Sequence, residues 1–115
     1  MTTRRQERVA EMIKIELSKM LEAEIEDPRL KLISITEVTI SVDLREANVY
    51  ASALGGEAVQ ADVLAGLDHA RSYFRHGLAD RMKLRVVPNL HFRWDSSLET
   101  GDRISRLLDQ IERED

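Results

Sequence analysis

The sequence predicts an α+β domain: a three-stranded mixed sheet packed with helices, in the order α-β-β-α-kink-α-β, followed by a C-terminal helix. Three observations carry this. Apolar residues recur at helical spacing over residues 4–25, then alternate with polar residues on either side of a tight turn, then return to helical spacing before a last alternating run. A chain of 115 residues suits one domain around one core, so residues 1–115 are read as a single unit, with 96–115 as terminal helix and tail. A strand, helix pair, strand connection lets the last strand join the hairpin through a right-handed crossover.

Val9, Met12, Ile13, Leu17, Met20, Leu21 and Ile25 form the apolar stripe of the first helix. Thr3 followed by Gln6 fits a capping box at its start, and Pro28 ends it by disfavouring helical geometry at Asp27. Val38, Ile40, Val42 and Leu44 alternate with polar residues as one buried strand face. Ile33 and Ile35 have the opposite parity, which predicts a bulge or an irregular start near Thr36-Glu37. Asp43-Leu-Arg-Glu46 reads as the hairpin turn, and Ala47, Val49, Ala51 and Ala53 as the partner strand. Gly55-Gly56 closes the hairpin. A helix from about Glu57 places Val59, Val63, Leu67 and Ala70 on one face, the pattern breaks at Ala70-Arg71-Ser72, and a second helix carries Phe74, Leu78 and Met82, with Ser72 as its expected cap. The last strand sets Leu84, Val86, Leu90, Phe92 and Trp94 against Arg85, His91 and Arg93, with an edge or interruption at Pro88. Ser96 and Glu99 have capping-box spacing ahead of a final amphipathic helix carrying Ile104, Leu107, Leu108 and Ile111.

Charge is unevenly spread. Between His69 and Arg93, Arg71, Arg75, Arg81, Lys83, Arg85 and Arg93 face the single acid Asp80, giving +5 in a chain whose net charge is −4, so the remainder carries −9. That asymmetry predicts one face that meets a polyanion and others that repel it. The chain has no cysteine, which excludes disulfides and thiolate metal sites. His69, His76 and His91 lack the three- or four-residue spacing of a helical metal pair. No nucleophile elbow or Walker loop is present. Gly55-Gly56 reads as a hairpin-to-helix turn rather than a phosphate loop, and Glu22, Glu24, Glu26 and Asp27 as a solvated edge rather than an acid/base pair. The expectation is a protein that is not an enzyme and needs no cofactor or small-molecule substrate. No apolar run is long enough to span a bilayer and the first residues lack the apolar core of a signal peptide, so a cytoplasmic monomer without membrane attachment is expected.

Several stretches, taken in order, resemble a known family. They are Arg4-x-x-x-Arg8-Val-Ala, Asp27-Pro28-Arg29-Leu30, Val42-Asp43-Leu44-x-x-Ala47-x-Val49-Tyr50, Phe74-Arg75, Leu84-Arg85, Pro88-x-Leu90-x-Phe92 and Asp95-x-Ser97. Together they span nearly the whole chain and resemble the ribosome-binding factor A family, with its type II KH-like fold. The resemblance implies binding to the immature small ribosomal subunit and its rRNA, help in late maturation and rRNA 5′-end processing, and support of growth in the cold. KH domains generally clamp nucleotides with the backbone of a G-x-x-G loop. This chain has none; the family's A-x-G kink corresponds to Ala70-Arg71-Ser72, and Ser72 departs from the glycine. Serine adopts positive φ less cheaply. The expectation therefore moves from backbone clamping to side chains.

Arg71, Arg75 and His76 lie on roughly one side of the second kinked helix, Arg81, Lys83 and Arg85 extend positive charge toward the strand, and Arg4, Arg5 and Arg8 extend it at the start of the first helix. Arginine forks match phosphate oxygens, and about four to six neutralised phosphates would make binding steeply salt-dependent. For Arg85 the alternative is a partly buried ion pair. Tyr73 is the aromatic free to stack a base; Tyr50, Phe74, Phe92 and Trp94 suit core or sheet positions, so shape and phosphate recognition is expected over base reading. The competing reading is a protein-interaction module that docks a partner through the terminal Ile104, Leu107, Leu108 and Ile111 stripe.

Overall fold

The structure, a computed structural model, describes residues 2–97. Helix α1 (Arg4–Ala23) is followed by a 3-10 turn (Pro28–Leu30), strands β1 (Ile33–Ile40) and β2 (Glu46–Ala53), a second 3-10 turn (Gly56–Val59), helices α2 (Gln60–His69) and α3 (Arg71–Met82), and strand β3 (Asn89–Trp94). Among the described residues the sheet has the order β1-β2-β3, antiparallel between β1 and β2 and parallel between β2 and β3. This is the mixed α+β architecture that the residue pattern predicts. The expected terminal helix with Ile104, Leu107, Leu108 and Ile111, and Glu99 of its capping box, lie outside the described residues.

The capping box is present at the start of α1. Gln6 N donates to Thr3 Oγ1 at 3.1 Å and Thr3 N donates to Gln6 Oε1 at 2.8 Å. Gln6 also reaches across to β1, its Nε2 donating to the Ile40 carbonyl at 2.8 Å, so one buried side chain caps the helix and fixes it to the sheet. Ile13, Leu17 and Met20 continue this buried stripe. Met12, assigned to the stripe from spacing, is exposed, and Ile25 lies beyond the helix end.

The Asp27-Pro28-Arg29-Leu30 stretch has a local explanation. Asp27 accepts from Arg29 N at 2.9 Å and grips the Arg29 guanidinium with both carboxylate oxygens, while Pro28 opens the 3-10 turn and buries Leu30. The Arg29 guanidinium, with the Arg29 N–H behind it, lowers the Asp27 pKa from 3.8 to about 2. A carboxylate whose folded pKa is depressed contributes stability above its unfolded pKa and loses it as pH falls through the folded value. Asp27→Asn is therefore expected to flatten the loss of thermal stability between about pH 4 and pH 2. Melting curves across that range check it, and an unchanged acid limb would exclude this contribution.

The bulge anticipated from the parity change is real: the β1/β2 register slips between Ile35 and Glu37, leaving Thr36 unpaired. The Thr36 hydroxyl donates to Asp95, beyond the end of β3, and Asp95 Oδ1 accepts from Ser97 N at 2.9 Å. The bulge thus ties both edge strands together across β2, and the Thr36 hydrogen bond holds the Asp95 carboxyl below its usual range.

Four residues expected in strands lie where alternation runs past a strand end. Val42 is 77% exposed, because β1 stops at Ile40 and residues 41–45 form the turn. Leu44 adopts φ 63°, so its half-buried side chain follows from a left-handed turn and not from a pleat. Leu84 and Val86 belong to the connector, not to the last strand, which begins at Asn89; Val86 is 57% exposed. Pro88 sits just before the strand, where its missing N–H costs no ladder bond.

Candidate nucleic-acid interface

The helix break falls at Ala70, whose φ of −90° and ψ of 3° join α2 to α3 with no residue in the left-handed region. Ser72 lies inside the first turn of α3. It does not cap the helix as expected: Ala70 is the N-cap residue and no side chain caps it. A kink made at negative φ does not require glycine, so serine is accommodated there without backbone strain.

The structure sorts the predicted cations into two groups. The first is internally committed. Arg71 pairs with Asp68 and its guanidinium carbon lies 5.7 Å from the Phe92 ring centroid. Arg75, half-buried, donates to the Val87 carbonyl at 3.2 Å and the Pro88 carbonyl at 3.3 Å, holding the connector that leads into β3. Arg81 lies between Glu16 of α1, 3.8 Å from its Oε2, and Glu24 at the α1 C-cap, and Lys19 also approaches Glu16 at 3.7 Å, so its charge is balanced locally. The hydrogen bond that Arg81 donates to the Glu24 carboxylate keeps the guanidinium even more firmly protonated than usual. Glu24 and Asp27, read from sequence as a solvated edge, are thus partners of Arg81 and Arg29.

The second group is available. Arg4, Arg5, Arg8, Lys83 and Arg85 are exposed, and among the described residues none of them forms an ion pair. The buried ion pair considered for Arg85 is absent there. Arg5 and Arg8 are three apart and share one side of α1. Lys83 ends α3 in the left-handed region at φ 53°. His76 is exposed beside Arg75 and Asp80. Tyr73 is exposed, but it lies with Glu24 and Arg81, away from the available cations.

One cation escaped the sequence reading. Arg45, in the hairpin turn, joins Arg5 and Arg85 around a pocket of about 240 Å³. In sequence Arg45 stands between Asp43 and Glu46, and its charge is cancelled in any window. It is brought to the connector by the parallel pairing of β2 and β3, which starts with Asn89 N donating to the Arg45 carbonyl at 2.8 Å. The available positive charge therefore gathers at the far end of α3 from the kink, where the start of α1, the hairpin turn and the connector meet.

Among the described residues, no group of three His, Cys, Asp or Glu side chains is placed to hold a metal ion, and no helix is long and apolar enough to cross a membrane.

Comparison with known proteins gives these features a family. Residues 5–108 match the family model described as ribosome-binding factor A. The chain is 42% identical to ribosome-binding factor A of Nitrosococcus oceani over 106 residues, covering 92% of this chain and 84% of that one. It is 45% identical to that of Acetivibrio thermocellus, covering 90% and 85%. The crystal structure of ribosome-binding factor A from Thermus thermophilus superposes with a TM-score of 0.70 at 29% identity, covering 77% of this chain and 93% of that one. A homology model of the Thermus thermophilus protein, fitted into a cryo-EM map of a 30S complex, superposes with a TM-score of 0.63 at 33% identity, covering 76% and 92%. With the family model spanning nearly the whole chain and relatives above 40% identity across its length, this chain belongs to the ribosome-binding factor A family.

Proposed function

We propose that this protein binds the small ribosomal subunit by neutralising rRNA backbone phosphates with the exposed cations at the far end of α3. It assists late maturation and 5′-end processing of the small-subunit rRNA, supports growth in the cold, and acts as a cytoplasmic monomer without catalysing a reaction. The observation that carries the RNA contact is the segregation of charge: Arg4, Arg5, Arg8, Lys83 and Arg85 have no acidic partner among the described residues, while Arg71 and Arg81 do. A net-acidic protein meets a polyanion only through such a patch. Family membership and the 30S complex of the Thermus thermophilus relative support the choice of partner.

The test is co-sedimentation of the purified chain with immature and mature small subunits across a salt series, with an Arg8→Glu/Lys83→Glu variant alongside. The unaltered chain is expected to co-sediment, to prefer immature subunits, and to dissociate steeply as salt rises. The folded variant is expected to bind at least about tenfold more weakly. Binding indifferent to both salt and charge reversal would remove the patch from the mechanism.

A further inference from the structure

The pocket among Arg5, Arg45 and Arg85 has features that a generally basic surface does not require. Its three guanidinium-bearing residues come from three separate elements, so their convergence is a property of the fold and not of a sequence run. Its one acid, Asp43, is engaged in the turn: Oδ1 accepts from the Ser41 hydroxyl at 2.6 Å and from Arg45 N at 3.0 Å. With three arginines and one aspartate the lining is net positive by two. Like charges brought together repel, and a bound anion relieves that repulsion.

The frame is fixed. Leu44 holds φ 63°, a conformation that persists in a non-glycine residue only where its surroundings enforce it. Arg75 anchors the carbonyls of Val87 and Pro88 behind the pocket, and Asn89 N anchors the Arg45 carbonyl. Leu44, Leu84 and Pro88 supply apolar lining between the arginines. The volume of about 240 Å³ is below the roughly 300–1,000 Å³ typical of sites for whole small-molecule ligands. It suits a fragment: an anion with a small, partly apolar group attached.

The geometry points to this pocket as the seat of one phosphodiester of an RNA strand, with the arginines on its oxygens and the adjoining ribose against Leu44 and Leu84. This rests on the RNA-binding reading above and deepens it, because it makes one contact a built site within an otherwise diffuse electrostatic face. The pocket is separated from the Ala70 kink by the whole of α3, about 18 Å for a helix of 12 residues. Nucleic acid held here is therefore held by side chains, at a place distinct from the inter-helix kink.

The experiment is an NMR titration of the full chain with the dinucleotide UpU, whose only phosphate is an internal diester, and with ribose 5-phosphate and ribose in parallel. Arg45→Gln/Arg85→Gln is carried through both the titration and subunit co-sedimentation. Supporting results are UpU-dependent shifts confined to amides around residues 5, 43–45 and 84–86, their loss in the folded variant, and subunit binding by that variant at least about tenfold weaker. Shifts from ribose 5-phosphate but not UpU would overturn the diester assignment in favour of a terminal phosphate. Equal response to ribose alone would overturn the ionic basis. If subunits bind but UpU leaves these amides unmoved and the variant binds like the unaltered chain, the pocket falls and the functional reading stands. If UpU shifts the pocket but the unaltered chain never sediments with subunits, the functional reading falls and the pocket stands.

Discussion

Gly77→Val is expected to destabilise the domain by about 2–3 kcal/mol, a large share of the roughly 5–15 kcal/mol available to a domain of this kind. Gly77 lies where α3 crosses α1. A β-carbon there would fall on the Met20 sulfur, 3.1 Å from Met20 Cε and 3.0 Å from Arg81 Nη1. Met20 is fully buried, so its side chain cannot swing into solvent, and only repacking of the core would make room. Magnitudes separate this from a helix-propensity effect. Glycine in a helix interior costs about 1 kcal/mol relative to alanine, so Gly77→Ala regains roughly that much while overpacking costs about 1–3 kcal/mol, leaving a modest net loss. Valine regains less and brings two more methyl groups. Urea midpoints should therefore fall slightly for alanine and steeply for valine. Met20→Ala should cost less in the Gly77→Ala background than alone, with a coupling of about 1 kcal/mol. A valine variant with an unchanged midpoint would mean that the two helices do not approach this closely.

Gly77 also marks what the sequence could not disclose. Phe74, Leu78 and Met82 announce the buried face of α3, and a glycine between them reads as a tolerated interruption until Met20 is seen opposite. Periodic features were legible because they are local. The parity change from Ile35 to Val38 revealed the bulge, and Thr3 with Gln6 revealed the cap. Periodicity misled where an apolar residue kept the rhythm after the pleat had ended, as at Val42 and Val86. Charge was legible as a total but not as a location. The basic stretch pointed to Arg75 and Arg81, yet one holds two carbonyls and the other lies between Glu16 and Glu24. Arg45, silent in sequence, lies among the available cations. Sequence windows average a charge over its chain neighbours, whereas a ligand responds to its neighbours in space.

The largest expected functional effect follows from that separation. Reversing Arg4, Arg8 and Lys83 to glutamate, none of them lining the Arg45 pocket, is expected to weaken small-subunit binding at least about a hundredfold at physiological salt. The slope of log affinity against log salt should fall by about three, one for each phosphate no longer neutralised. Arg71→Gln and Arg81→Gln are expected to change affinity less than about threefold. The reason is not that their ion pairs are hard to break, since exposed pairs are worth only about 0–1 kcal/mol. It is that Asp68, Glu16 and Glu24 would remain beside any phosphate those arginines met, cancelling the attraction. Lys83 permits a cleaner separation of binding from folding. It occupies a left-handed position at the end of α3, where glycine is the favoured residue and a lysine carries a conformational cost of about 1 kcal/mol. Lys83→Gly should therefore leave the urea midpoint unchanged or slightly raised while lowering the salt slope by about one. A residue that costs stability locally and contributes affinity is one retained for its charge. If Lys83→Gly lowers stability and leaves the salt dependence untouched, Lys83 belongs to the fold and the interface lies elsewhere.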